Sequence, residues 1–467
     1  MPSAKFSLSH YVAAFGRGSG LALLLAASLA LAACQGPTVT KPAPDTQATP
    51  APDLPVLPPA EEADALEPAG EYLEETKITR IDLDRSVKVG LLLPLSGRHA
   101  RLGHAMLNAA QLALFDIADD RFSLVVRDTK GTPEGALEAA RSALGEGVRL
   151  ILGPLFATSV EAMLAEAQAA SIVTVAFSND RSVAGNGVFV MGLAPYPQIM
   201  RLVTFAGAQG LNRFAVLAPR TRYGDAVVQA VQDAVYRNAA ELTRVVSYDP
   251  GSGDVTAEVR QLADYDLRRR ALLQQRKLLS DRDDEAAKLA LRRLDGLETV
   301  GMPDFDAVIL PEGGKRLLAI APVLAYYDID PNEIRYLGTS LWEDAAVSNE
   351  PALFGGWFTS PPPELWAGFR ARYEKVYGED PPRLTTLAYD SAALAAVLAR
   401  RAVESGAQPD FGVDTLTQSS GFAGMDGVFR FLPNGEVERN LAILEVHRGG
   451  KFRVLEKAAT SFEPATD

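Results

Sequence analysis

From residue 87 onward, short apolar runs alternate with stretches of helical spacing, and this alternation leaves few folds open. Lys88-Val89-Gly90-Leu91-Leu92-Leu93-Pro94-Leu95 is nearly continuous in apolar character. A strand without polar alternation is buried on both faces, as in a parallel sheet. The loop Ser96-Gly97-Arg98-His99 leads into a predicted helix over 102–118, where Leu102, Met106, Ala109, Ala113 and Ile117 recur at helical spacing. Strands are predicted at 122–128, 148–154 and 172–177, with helices over 133–145 and 158–170 between them. Strand and helix alternating at this spacing need crossover connections, which define a doubly wound α/β lobe. The pattern then repeats. A helix at 198–209 is followed by strands at 213–218, 241–248, 307–310 and 334–338, with a helix over 225–238. Helices over 364–377 and 384–404 follow. The chain closes with Gly427-Val428-Phe429-Arg430-Phe431, the turn Pro433-Asn434-Gly435 and an apolar strand at 442–446. Asn-Gly is a strong hairpin signal.

The chain has 467 residues and a net charge of −13. Such an acidic chain is a poor general binder of nucleic acid or anionic lipid. The folded part is long enough for two lobes with separate cores. Catalytic signatures are missing. The four histidines are His10, His99, His104 and His447; His10 lies in the export signal, and His99 and His104, five apart, have no nearby cysteine or acid at metal spacing. No Gly-x-Ser-x-Gly elbow occurs. Gly313-Gly314-Lys315 lacks the rest of a phosphate loop, with Ile309 and Arg316 at the positions that matter. The expectation is a non-enzyme that needs no cofactor and no metal.

The first 33 residues read as an export signal. Lys5 and Arg17 are basic, no acid is present, and an apolar run covers Leu21 to Ala33. That run is shorter than the roughly 20 residues that cross a bilayer. Leu31-Ala32-Ala33-Cys34 resembles the bacterial lipobox, which makes Cys34 the lipidated first residue of the exported protein. Cys34 is also the only cysteine, and lipidation accounts for an odd thiol in an exported chain. Gln35 in place of an acid favours the outer membrane. Residues 34–85 hold nine prolines between Pro37 and Pro68 and few large apolar groups, so they read as a disordered tether. Residues 461–467 read as a disordered tail. The lipid is the only membrane attachment expected.

Several motifs bear a family resemblance. Residues 88–97 resemble the opening of leucine/isoleucine/valine-binding periplasmic proteins. Tyr223-Gly224-Asp225-Ala226 is similar to their turn into a second-lobe helix, and residues 427–435 to their closing hairpin. The resemblance implies an α/β type 1 periplasmic-binding-protein fold, two doubly wound Rossmann-like lobes joined by three crossovers near 197, 359 and 432. Lobe 1 is then 86–197 with 359–432, and lobe 2 is 198–358 with 433–460. A narrower resemblance covers Phe305 to Pro311, Ile320 to Asp328, Tyr336 to Trp342 and Tyr389-Asp390-Ser391-Ala392. These are similar to the penicillin-binding protein activator lipoproteins, which use this fold to stimulate peptidoglycan synthases.

Ligands in doubly wound sheets sit beyond the carboxyl ends of strands. Those ends nominate Ser96, Arg98, Phe156, Thr158, Ser159, Ser178, Asn179, Tyr223, Glu312, Thr339, Ser340 and Trp342. Thr158 and Ser159 open a helix, where free N–H groups suit a carboxylate. Amino-acid binders of the family place an acid for the ligand ammonium in the loop held here by Thr339-Ser340-Leu341, which has none. The serine they carry before Thr158 is Ala157 here. Glu312 is the alternative acid. Residues 255–300 mix Val259, Leu262, Tyr265 and Leu272 with Arg260, Arg268, Arg269 and Arg270, and read as an inserted, charged helical hairpin. Arg268, Arg269 and Arg270 are its partner-contact candidates, against the usual reading of such a run as a solvated face. The resemblance implies, first, a periplasmic lipoprotein that activates peptidoglycan synthesis by contacting a penicillin-binding protein. The alternative is a solute-binding lipoprotein that passes an amino acid or other small polar ligand to an ABC permease.

Overall fold

The computed structural model describes residues 86–118 and 121–462. The export signal, Cys34 and the proline-rich segment lie outside the described residues, as do 463–467 of the expected tail.

β1 (Val87–Leu93) is buried along almost its whole length, as its continuous apolar run requires. It pairs in parallel with β2 (Phe122–Asp128), from Val87↔Phe122 to Leu93↔Asp128. β3 (Ile151–Leu152), β4 (Thr174–Ala176) and β5 (Val188–Val190) extend the sheet in parallel, giving the order β2-β1-β3-β4-β5. The crossovers are α1 (Ala100–Ile117), α2 (Pro133–Gly145) and α3 (Ala157–Ala169). Thr132 caps α2 by accepting the Gly135 N–H at 3.1 Å, with Pro133 in the first turn. Gly103 in α1 has no room for a side chain, since a Cβ there would strike the Pro94 carbonyl. The strand expected over 148–154 is only two residues long. β5 was not anticipated at all.

The second lobe begins with α4 (Pro195–Ala208) and continues through β6 (Arg213–Pro219), α5 (Arg222–Arg237) and β7 (Glu241–Tyr248). Next come α6 (Thr256–Leu262), α7 (Tyr265–Ser280), α8 (Glu285–Leu294), β8 (Ala307–Ile309), α9 (Gly314–Tyr326), β9 (Arg335–Gly338) and β10 (Trp357–Ser360). The charged segment at 255–300 is therefore three helices. Val259 and Leu262 of α6 are fully buried in the second-lobe core, so α6 serves as an ordinary crossover. Only α7 and α8 form the added hairpin.

After β10 the chain returns to the first lobe. Phe369 and Tyr373 of α10 (Pro363–Tyr377) and Leu387, Ala392 and Ala395 of α11 (Thr385–Glu404) share its core. After the short α12 (Val413–Leu416), β11 (Phe422–Gly424), β12 (Gly427–Phe431) and β13 (Val437–Arg439) form a small antiparallel sheet. Asn434-Gly435 makes the turn between β12 and β13, with Gly435 at φ +84°. The strand across that turn is thus β13. β14 (Ala442–His447) and β15 (Lys451–Glu456) instead complete the second sheet, in the order β15-β14-β10-β9-β8-β6-β7. This moves the third crossing from the expected 432 to the step between Arg439 and Ala442. Val437 packs with Phe429 and Phe431 in the first-lobe core, whereas Ala442 and Leu444 lie in the second. Among the described residues no helix is long and apolar enough to cross a membrane, and no group of His, Cys, Asp and Glu is placed to hold a metal.

Candidate functional site

The loops that follow strand carboxyl ends in the two lobes enclose a cavity of about 270 Å³. Phe156, Ser178 and Asn179 line it from the first lobe, and Thr221, Arg222 and Tyr223 from the second. Four of the nominated residues therefore meet there: Phe156, Ser178, Asn179 and Tyr223. A wider hollow of about 600 Å³ adjoins it and shares Asp180, Arg222 and Ala226. Ser178 is buried, and its Oγ accepts the Asp180 N–H at 3.1 Å, which shapes the loop after β4. Phe156 caps α3 and lies 4.8 Å from the His99 ring.

Tyr223 shares a 2.9 Å hydroxyl hydrogen bond with Thr339, itself fully buried. Desolvation, with the Glu312 carboxylate adding to it, pushes the Tyr223 phenol up to about 12, against the pull of the Thr339 bond. Tyr223 is thus a neutral donor or acceptor throughout the physiological range.

The other nominated residues do not line this cavity. Ser96 and Arg98 are exposed, and Arg98 Nε donates to His99 Nε2 at 2.7 Å. The loop they occupy is organised by Asp128, whose Oδ1 accepts the N–H groups of Leu95, Ser96 and Lys130 at 2.8, 3.2 and 2.7 Å. Burial opposes the charge of Asp128, but these bonds outweigh it and hold the carboxyl below its usual range. Thr158 is exposed, while Ser159 is buried with its Oγ unpartnered. Glu312 accepts a hydrogen bond from the Tyr248 hydroxyl, so it is already engaged. The Ser340 N–H donates to Gln198 Oε1 at 2.8 Å. Trp342 belongs to the second-lobe core. It is fully buried, donates to the Leu310 carbonyl at 3.2 Å, and covers Gly338, where any side chain would overlap its ring.

Sequence reasoning missed the residues that tie the lobes together. Arg222 Nη1 spans the cleft to Glu161 and Asp180 at 3.2 and 3.4 Å. Its signal was its place in Arg220-Thr221-Arg222-Tyr223-Gly224, at a strand end that opens a helix. Gln198 is buried at the crossings. Its Nε2 donates to the Leu193 and Ala194 carbonyls at 3.0 and 3.1 Å, and its Oε1 accepts from Ser340 and, at 3.4 Å, from the Thr359 hydroxyl. Arg383, between α10 and α11, donates to Glu343 of the second lobe at 2.9 Å and to Asp426 at 2.7 Å. The Ser360 hydroxyl also donates to Glu343, at 2.8 Å.

The three arginines of the added hairpin separate. Arg268 is nearly buried and donates to the carbonyls of Ala263, Val300 and Gly301, to Thr299 Oγ1 and to Asp328. It anchors α7 to the lobe and is not available to a partner. Arg269 pairs with Glu298 at 3.1 Å. Arg270 is exposed.

Two α/β lobes, crossed three times by the chain, enclose a cavity lined from both sides. The chain belongs to the periplasmic binding protein family, whose sequence model matches residues 86–451. A Leu/Ile/Val-binding protein of Rhizobium johnstonii is 25% identical over 184 residues, covering 37% of this chain and 50% of that one. The chain spans about half the length of the curated relatives it matches. An ABC transporter substrate-binding protein from Sphaerobacter thermophilus has a similar structure, with a TM-score of 0.62 and 17% identity, covering 81% of this chain and 99% of that one. A solute-binding protein from Rhodopseudomonas palustris in complex with 3,4-dihydroxybenzoic acid has a TM-score of 0.58 and 15% identity, with coverage of 81% and 98%. The α/β type 1 fold expected from the sequence is thus the observed one, shared with solute-binding proteins of ABC transporters. The family is periplasmic.

Proposed function

We propose that this chain binds a small polar solute between its lobes, without catalysis, for delivery to an ABC permease. The cavity carries this reading, because hydroxyl and amide groups of Ser178, Asn179 and Thr221 stand beside Phe156 and Tyr223. Polar groups that fix orientation within an apolar lining are what small-molecule sites provide. The solute is an amino acid or another small polar ligand. Of the acids near the cleft, Asp180 is engaged by Arg222 and the Ser182 N–H and Glu312 by Tyr248, while Asp225 stands exposed on the adjoining hollow. Thermal shift against amino acids, small sugars and 3,4-dihydroxybenzoic acid tests the reading. A ligand at 100 times its Kd stabilises by about 2.7 kcal/mol. A flat panel, with no change on replacing Ser178 or Asn179, would overturn it.

The finer reading, activation of a penicillin-binding protein, is favoured by the missing acid at 339–341. Stimulation of a purified peptidoglycan synthase by the protein separates the two. In either case Cys34 is proposed to carry lipid in the outer membrane. Labelling with a palmitate analogue that survives Cys34→Ser replacement would exclude this.

A further inference from the structure

The hairpin of α7 and α8 has two unlike faces. Tyr265, Arg268 and Leu272 are buried on its inner face, and Arg276 donates to the Leu294 and Leu297 carbonyls, so the two helices are held as one unit. The outer face is uncovered. Leu267 and Leu278 are 58% and 61% exposed on one stripe of α7, about three turns apart. Leu289 of α8 is 47% exposed and stands one turn before Arg292 and Arg293. Arg270, Lys277, Arg292 and Arg293 are exposed and make no ion pair or side-chain hydrogen bond among the described residues. The unpaired acids Asp281, Asp283 and Asp295 lie beyond the helix ends.

We propose that this face docks an acidic amphipathic helix of a partner protein, whose carboxylates flank a row of aliphatic side chains. Uncovered leucines grouped with unpaired cations mark a surface built for association. The charge is the opposite of the chain's own −13, so an acidic segment finds here the attraction that the rest of the molecule denies it. A groove of about 520 Å³ runs between the helices, with Arg276 and Lys277 on one wall and Leu291, Arg292 and a single acid, Asp295, on the other. It accepts protruding side chains, which a flat lipid surface does not offer.

The test uses the whole protein and a synthetic helix of about 18 residues with leucines on one face bordered by glutamates. Titration followed by fluorescence anisotropy is expected to show saturable binding that weakens with salt. The combined R270E/K277E/R292E/R293E variant is expected to lose about tenfold or more in affinity, and L267S/L278S/L289S a similar factor. Both sets are exposed, so unchanged circular dichroism and melting confirm that the fold is kept. Equal binding of a peptide with lysines for glutamates, tighter binding to vesicles of anionic phospholipid, self-association of the protein through this face, or no loss in either variant would each overturn the proposal.

Discussion

Two arginines join the lobes, and they are built to opposite specifications. Arg383 is largely buried beside the crossings, where it meets Glu343 and Asp426 and lies 4.7 Å from the centre of the Trp366 ring. Burial alone would lower its basicity, but Asp426 and Glu343 outweigh this and raise it. Arg222 sits at the cleft mouth with its side chain 66% exposed, between Glu161 and Asp180. Buried charges are costly to separate, whereas exposed ones exchange cheaply with water. On the proposed solute-binding role, the crossings would serve as a fixed pivot and the rim as a releasable latch.

The largest effect is expected at the pivot. Arg383→Met removes the guanidinium bonded to buried Glu343 and Asp426 and leaves only Arg439 near Asp426, at a cost of about 3–5 kcal/mol. Denaturant unfolding measures it, and a loss below about 1 kcal/mol would remove the contrast with Arg222.

Next comes a pH dependence at the same place. Asp390 accepts the Met425 and Asp426 N–H groups at 2.6 and 3.3 Å. Burial, then the Asp426 carboxylate, push it up to about 7, against Arg439 and these N–H groups. Its folded value exceeds its unfolded one of 3.8. The folded state therefore holds the extra proton, and stability falls as pH rises from about 4 to about 7. Asp390→Asn is expected to flatten that part of the profile, read from melting temperature against pH. A wild-type profile rising across this window would contradict it.

A smaller loss is expected from Gln198→Ala, about 1–3 kcal/mol, because the Ser340 N–H loses its acceptor and two carbonyls lose a donor. Hydrogen exchange should rise at Ser340 first. Equal loosening throughout both lobes would argue against a local role at the crossings.

These residues show where the sequence was legible. β1 could be read because its burial on both faces demands a continuous apolar run. β5 is three residues long and offers no period to detect. Gln198 lies inside an apolar helical pattern, and nothing local says that its amide spans two crossings. Trp342 follows a strand end, yet the glycine at 338 leaves room for its ring to fold back onto the core. Arg268, Arg269 and Arg270 looked equivalent in sequence. Consecutive residues on a helix point about 100° apart, so one turns inward and the others face water. Four residues of the cleft were foreseeable from strand ends, namely Phe156, Ser178, Asn179 and Tyr223. The lobe-bridging contacts were not, because they depend on how the two halves meet.

The smallest effect on stability belongs to the latch, and it sharpens the comparison most. Arg222→Ala removes two exposed pairs and should cost less than about 1 kcal/mol in unfolding. Its consequence lies in the balance between closed and open lobes. With the latch gone, the closed arrangement is less populated, and apparent ligand affinity falls in proportion to that population. High salt should reproduce this in the wild type, since the Debye length shrinks to about 3 Å at 1 M, and should add little in the variant. Small-angle scattering of the ligand-free protein reads the change as a larger radius of gyration. If Arg222→Ala destabilises as much as Arg383→Met, the rim is a structural staple like the pivot, and the two bridges do not divide the work.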